Sequence, residues 1–565
     1  MDHQLKKKYR TMYRSCVLLL FVCFTLSVSS QEYKNGMVVS AHPEASKVGL
    51  AILKQGGNAI DAAVAVEFAL AVVYPNAGNI GGGGFLVYRA SSGSVTALDF
   101  RETAPSKASR DMYLDKNGNP IANLSQYGSL ASGIPGSVAG MVEAHDKYGK
   151  LSWRKLIEPA IQLASNGFHI TAMQASELNK HHDDFIRYNS AKTVFVSDHQ
   201  WKAGDMMKQS ELAKTLTLIK NKGRKGFYEG RTAKLIVSQM TRGNGIIELT
   251  DLKGYHAVWR KPVVGNYRNY KIITMPPSSS GGLALISLLK SVEPYPLSKW
   301  GFQQDSTVRL MVEAERRTYA DRSIHLGDPD FNPIHQSGLL NDSYIKSRMS
   351  SLSFDRATPS SEVKPGILNG RESEQTTHFS IVDKEGNAVS VTTTLNGAYG
   401  SHVVVAGTGF LLNNEMDDFS IKAGFPNQYG LVGGVLNAIE PNKRMLSSMT
   451  PTILEKDGKL FLVVGSPGGS TIITTVFQAI LNIIEFGMPV QEAVNAPRFH
   501  HQWLPDNVFV EETAIPQNVR KSLGSSGYEI VPREKIGRVD AVQVTPEGWL
   551  RGGADMRGDD AISAY

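Results

Sequence analysis

Gln375-Thr376-Thr377-His378 stands between a polar segment, residues 350–374, and a strand-like run, Phe379-Ser380-Ile381-Val382. A threonine hydroxyl is a weak nucleophile near neutral pH and needs a base within hydrogen-bond reach. A threonine that begins a chain carries that base itself, in an α-amine whose unperturbed pKa is near ~8. An internal threonine has only an amide nitrogen, which is not basic. The bond between Gln375 and Thr376 therefore has to break before Thr376 can use its own amine. Taken alone, the motif is weak evidence for that chemistry and reads first as a pair of β-formers opening a strand.

Downstream, short apolar runs follow at 379–382, 388–395, 409–412, 451–454 and 460–464, separated by turns. Lys384-Glu385-Gly386-Asn387 is a hairpin signal, so the first two runs pair antiparallel. That pairing places Thr376 and the end of the second strand, Thr394-Leu395-Asn396, on one sheet edge. Upstream, Met37-Val38-Val39-Ser40 reads as a strand and residues 45–53 and 59–73 as helices. Glu67 interrupts the second of these, which favours a buried core helix over a membrane span. Gly81-Gly82-Gly83-Gly84 removes every Cβ before Phe85-Leu86-Val87-Tyr88, so another chain segment or a ligand packs closely on that backbone. Residues 128–330 read mainly as helices, with turns at 133–136 and 276–282, and Glu313-Ala314-Glu315-Arg316-Arg317 reads as a solvated charged face. The polar segment 350–374 reads as flexible, a place where a cut is accommodated.

Three features have chemical potential. Gly465-Ser466-Pro467-Gly468-Gly469-Ser470 joins a strand to a helix, an arrangement that points backbone N–H groups at negative charge. It lacks the P-loop lysine and the G-x-G-x-x-G spacing, which leaves an oxyanion hole or a structural turn. Asn413-Asn414-Glu415-Met416-Asp417-Asp418 puts three carboxylates within four residues. It has no calcium-loop spacing and reads as an ammonium site or as a solvated loop. Arg101, in Asp99-Phe100-Arg101-Glu102, can clamp a carboxylate bidentately. His181-His182-Asp183-Asp184 and His500-His501 lack the i, i+4 spacing of a helical zinc site, so no metal and no cofactor is expected.

Composition is globular, with 41% hydrophobic and 20% charged residues and 53 glycines in 565 positions. Five basic residues, from Lys6 to Arg14, precede a 13-residue apolar run, residues 16–28, and a small-residue cleavage site at Val28-Ser29-Ser30. This reads as a secretory signal rather than an uncleaved anchor. Cys16 and Cys23 both lie inside it, so the mature chain has no thiol chemistry. Removing five Lys/Arg and Asp2 takes the formal charge from +7 to +3, which gives no case for nucleic acid.

Taken together and in order, the glycine turn before Phe85, Asp99-Phe100-Arg101-Glu102, Gly133-Ile134-Pro135-Gly136, Thr376-Thr377-His378, the 413–418 acidic motif, Ser447-Ser448-Met449-Thr450-Pro451-Thr452 and Gly465-Ser466-Pro467-Gly468-Gly469 resemble the gamma-glutamyltransferases, also called glutathione hydrolases. The resemblance covers nearly all of the chain after residue 36. It implies an α+β fold, the N-terminal nucleophile hydrolase αββα sandwich, two stacked sheets between helical layers. It also implies a zymogen that cuts itself at Gln375–Thr376 into a large subunit, 31–375, and a small subunit, 376–565, after removal of the signal 1–30. Thr376 is then the nucleophile and Thr394 its hydrogen-bonding neighbour. Gly468 and Gly469 form the oxyanion hole. Arg101, Ser447 and Ser448 bind the substrate α-carboxylate, and Asn396, Glu415 and Asp418 bind its α-amino group. Tyr429 matches the lid loop of bacterial members. The implied reaction transfers the γ-glutamyl group of glutathione or related compounds to water, an amino acid or a dipeptide. The implied setting is the periplasm or the exterior. Two alternatives stand beside it: a glutaryl or cephalosporin acylase of the same fold, and a secreted binding protein that has lost processing.

Overall fold

The computed structural model describes residues 31–365, 377–422, 424–428, 430–431 and 434–565. Gln375, Thr376 and Tyr429 fall outside them, as does the signal segment. Residues 33–565 form one compact unit.

Among the described residues the unit is built on two antiparallel sheets of seven and six strands. The strands are β1 (Met37–Ser40), β2 (Gly83–Arg89), β3 (Val95–Asp99), β4 (Val258–Arg260), β5 (Val263–Tyr267), β6 (Tyr270–Thr274), β7 (Thr377–Val382), β8 (Ala388–Thr394), β9 (Thr452–Lys456), β10 (Lys459–Gly465), β11 (Asp540–Val544), β12 (Leu550–Ala554) and β13 (Ala561–Ala564). The first sheet runs β13-β1-β7-β8-β2-β3-β4 and the second β12-β11-β10-β9-β6-β5. Every strand of the first sheet that carries the site is buried on both faces, and period-2 alternation sorts its side chains into two cores. Val38, Leu86, Leu98, Phe379 and Val391 join the helical core that contains α1 (Pro43–Lys54) and α2 (Ala59–Val73). Met37, Val39, Phe85 and Val87 join the core that contains the second sheet with α3 (Gly281–Val292), α4 (Asp305–His325) and α5 (Thr471–Ile484). This is the expected helix-sheet-sheet-helix layering.

The helix α2 shows why the layers hold. Asn58 and Asp61 close a capping box at its start, and all fifteen of its residues are buried. Each large apolar side chain withdrawn from water in this way contributes about 1.5–3 kcal/mol. The expected hairpin is present: β7 and β8 pair from Ala388↔Val382 to Thr393↔Thr377, around the turn at 383–387.

Three expectations need correction. Residues 258–274 form three strands inside the stretch read as helical, because two β-rich runs meet at a tight turn where Arg268 takes φ 52°. Residues 409–412 form no regular strand; only an isolated bridge joins Val404 to Leu411. The charged run at 313–317 is not solvated. Glu313, Glu315, Arg316 and Arg317 are buried in α4, where Arg317 pairs with Glu313 one turn away and Arg316 with Asp506. Charge composition shows what a helix face carries, but not whether its charges have partners that permit burial.

Candidate active site

The strand β7 starts at Thr377, opposite Thr393 near the end of β8. The glycine turn explains how that end is held. A Cβ on Gly82 would lie 1.9 Å from the Thr394 carbonyl oxygen, and one on Gly84 would lie 2.4 Å from that of Thr392. The close approach predicted for this turn is therefore to β8 itself. Asn79 Nδ2 donates to the Thr394 carbonyl at 2.8 Å, while its Oδ1 accepts from Gly82 N at 2.9 Å and Ser137 Oγ at 2.7 Å. Beyond the strand, Asn396 N–H donates to Thr394 Oγ1 at 2.7 Å, and Asn396 takes the left-handed conformation at φ 72°. Its Nδ2 donates to the Asn414 carbonyl at 3.0 Å, which ties the hairpin end to the acidic motif.

The acidic motif is a single 3-10 turn, Glu415–Asp418, and it is fully buried. With three residues per turn, positions i and i+3 share a face, so Glu415 and Asp418 point together and Asp417 does not. Both face Arg101. Glu415 Oε2 is 2.6 Å from Arg101 Nη1, and Arg101 Nη2 donates to Asp418 Oδ2. Arg101 also donates through Nε to the Met445 carbonyl and through Nη2 to the Leu446 carbonyl, each at 3.2 Å. Asp417 instead accepts from Ser125 Oγ, and from Gln428 N–H at 3.2 Å. Asn413 locks the motifs to one another: its Oδ1 accepts from Gly133 N and its Nδ2 donates to the carbonyls of Gly81 and Gly133.

Among the described residues, the charge in this cluster is unbalanced. Glu102, next to Arg101, has an oxygen 3.6 Å from the same guanidinium nitrogen. Three buried acids thus face one arginine. Burial raises the Glu102 and Glu415 carboxyls above their ordinary range, and Arg101 offsets this only in part. Burial also acts to lower the Arg101 pKa, but Glu415, Asp418 and Glu102 outweigh it and hold the guanidinium firmly charged. The cluster can accept one more cationic group, and the arginine fork suits a carboxylate.

The serines lie on the same wall in different roles. Ser447 Oγ accepts from Met449 N–H at 3.2 Å, and Ser448 Oγ accepts from Arg322 Nη2. The segment 445–448 therefore runs from one buried guanidinium to another. The glycine turn after β10 approaches β7 from the second sheet, where a Cβ on Gly465 would lie 2.3 Å from the His378 ring. That ring contacts Thr392 Oγ1 at 2.9 Å and Ser380 Oγ at 3.0 Å, and burial pushes its pKa down to about 3, so His378 is a neutral spacer between the sheets. Gly468 and Gly469 have φ of 131° and 65°, conformations that favour glycine, just before α5.

Sequence reasoning missed four supporting residues: Asn79, Glu102, Arg322 and Glu67. Glu102 lies within a motif already quoted and Asn79 has a local contact to Gly82 N–H, whereas Arg322 and Glu67 act through long-range contacts with no local pattern. Glu67 Oε1 is 3.0 Å from Thr393 Oγ1, directly under the hairpin end, and burial raises its carboxyl to about 8.

A family profile described as gamma-glutamyltranspeptidase matches residues 45–565. The chain is 48% identical over 533 residues to the glutathione hydrolase proenzyme of Escherichia coli K12, covering 94% of this chain and 92% of that one. Among solved structures, the gamma-glutamyltranspeptidase of Helicobacter pylori aligns at 48% identity and TM-score 0.57, covering 58% of this chain and 95% of that one. A cephalosporin acylase from Bacillus halodurans aligns at 26% identity and TM-score 0.85, covering 95% and 97%.

Proposed function

The chain belongs to the gamma-glutamyltranspeptidase family, and from that premise we propose that the Arg101 cluster is the head-group pocket of its γ-glutamyl substrate. The protein is an enzyme that cleaves the γ-glutamyl amide bond of glutathione and related compounds and transfers the γ-glutamyl group. The observation that supports the pocket assignment is the buried set of Arg101, Glu415, Asp418 and Glu102. A free α-amino acid end brings one carboxylate for the arginine fork and one ammonium for the surplus acids. It exchanges with contacts already made inside the cluster, so its charges enter a site where opposite charges are in place.

In this reading the precursor cuts itself between Gln375 and Thr376, in keeping with the proenzyme name of its relative. The new Thr376 amine then takes the proton from its own Oγ, which attacks the γ-carbonyl carbon. The carbonyl π-bond opens to a tetrahedral oxyanion that accepts from the Gly468 and Gly469 N–H groups. Collapse breaks the C–N bond, and the leaving amine receives the proton. A γ-glutamyl ester remains on Thr376. Attack by water yields glutamate, and attack by the amine of an amino acid or dipeptide yields a new γ-glutamyl amide. Thr394 orients the hairpin end, and Tyr429 has the lid role that the family resemblance implies. The 31–375 and 376–565 segments are the two subunits. Among the described residues no helix is long and apolar enough to cross a membrane, and residues 1–30 export the chain to the periplasm or beyond.

A glutaryl substrate has no α-amino group, so the acids facing Arg101 speak against an acylase. Turnover of γ-glutamyl and glutaryl anilides by the purified protein tests this. A strong preference for the γ-glutamyl compound is expected, and equal turnover would sink the head-group assignment. N-terminal sequencing of the same sample checks processing, with a chain starting at Thr376 expected. A single unprocessed chain would instead fit a binding protein.

A further inference from the structure

Six residues beyond Asn396, the same turn carries His402 in the left-handed region, at φ 60°. Its backbone is gripped from outside: Asn189 Nδ2 donates to the His402 carbonyl and Val404 N–H donates to Asn189 Oδ1, both at 2.8 Å. The ring is thereby set beside His181, which follows a helix spanning Ala172–Lys180, and Asp184, in the helix His182–Tyr188.

Three atoms converge there. His402 Nε2 is 3.2 Å from His181 Nδ1, His181 Nδ1 is 3.2 Å from Asp184 Oδ2, and His402 Nε2 is 3.8 Å from the same Oδ2. A triangle with these sides has a point about 2.0 Å from all three corners, which is the length of a Zn–N or Zn–O bond. Hydrogen bonding alone serves this triangle only by sharing a proton between two acceptors, whereas a divalent ion engages every corner. Behind His181, Glu177 Oε2 lies 3.7 Å from Nε2, beyond hydrogen-bond length but on the side that an outer carboxylate occupies at a ligating imidazole. His402 is 3% exposed and Asp184 36%, so an ion enters from the Asp184 side and keeps a solvent-facing position.

We propose that His181, Asp184 and His402 bind one divalent transition-metal ion, with Zn²⁺ the best match to two imidazoles and a carboxylate. The sequence pattern concealed the site because the third ligand comes from 221 residues away. The site goes beyond the proposed catalytic reading, and only its consequence depends on it. His181 and Asp184 precede the Gln375–Thr376 bond and His402 follows it, so the ion joins the two subunits beside the turn that carries Asn396.

The test titrates Co²⁺ into untagged, chelator-dialysed protein and follows the visible d–d bands of low-coordinate Co²⁺. Saturation at one equivalent, with the bands displaced by Zn²⁺, is expected. His402→Gln and Asp184→Asn should each weaken binding by at least about tenfold. Asp184 is partly exposed, so its variant keeps the fold even if the His402 variant does not, and circular dichroism checks both. Absence of the bands in the wild type, or bands of unchanged affinity in a folded Asp184→Asn, would overturn the site whatever the outcome of the processing and anilide experiments. A raised thermal midpoint with Zn²⁺ in the wild type alone supports it further.

Discussion

Glu67→Gln isolates one buried carboxyl and makes a signed prediction about pH. Glu67 lies in the fully buried helix α2 with Oε1 3.0 Å from Thr393 Oγ1, and burial raises its pKa from 4.5 to about 8, partly opposed by that hydrogen bond. Below pH 4.5 both folded and unfolded chains carry the proton and the group costs nothing. Between pH 4.5 and 8 the unfolded chain ionises while the folded chain stays protonated, so stability falls by about 1.36 kcal/mol per pH unit. The full loss is about 5 kcal/mol, complete above pH 8. Glutamine keeps the shape and a polar partner for Thr393 but does not titrate. An unfolding entropy of about 2.1 cal/mol/K per residue gives a chain of this length roughly 1 °C per kcal/mol. The variant's thermal midpoint minus that of the wild type should therefore grow by about 3–4 °C from pH 5 to pH 8. Differential scanning calorimetry at one scan rate and fixed protein concentration measures it. Any uniform packing penalty of the substitution shifts all points equally and leaves this slope intact. A difference that stays flat to within about 1 °C would show that Glu67 is ionised in the folded protein and that the reasoning from burial is wrong.

Four further outcomes test the site. Arg101→Lys loses the fork that reaches two acids and two carbonyls, so kcat/KM for a γ-glutamyl anilide should fall by about 30- to 1000-fold, equivalent to about 2–4 kcal/mol; wild-type kinetics would refute the clamp. Asp418→Asn should raise KM by about 10- to 100-fold through one charge-assisted contact, while Asp417→Asn leaves KM nearly unchanged, and similar effects from both would dissolve the distinction drawn from the 3-10 turn. Gly468→Ala forces a Cβ to within 2.6 Å of Thr471 Oγ1 and 2.8 Å of Gly537 Cα, so kcat should fall by about 10²-fold with KM little changed; full activity would remove Gly468 from the oxyanion hole. Thr376→Ala should run as one inactive chain in denaturing electrophoresis, and cleavage at the same bond would refute the nucleophile assignment.

The parts of the site that were legible in sequence are those set by local backbone rules. The hairpin around 383–387 and the glycine turn at 81–84 were readable because turn residues and missing Cβ atoms act within a few positions. Whether a charge is desolvated is decided by segments far away in the chain, and there the reading failed. Glu313 and Arg317 look like a surface face until α4 is seen buried. Likewise the residue pattern leaves Glu415, Asp417 and Asp418 equivalent and only the family resemblance sets Asp417 apart, whereas the 3-10 turn supplies the physical reason and brings in Arg101 from more than 300 residues away. That separation strengthens the head-group argument. An arginine with one acid is a closed ion pair and asks for no ligand, but Arg101 faces Glu415, Asp418 and Glu102 together. Burial keeps protons on acids that solvent would ionise, and a substrate ammonium is the group that can replace a proton there while its carboxylate engages the guanidinium. The same residue types arranged as separate exposed pairs would bind nothing selectively, so on the proposed head-group reading selectivity for a free α-amino acid end resides in the shared burial of these four side chains.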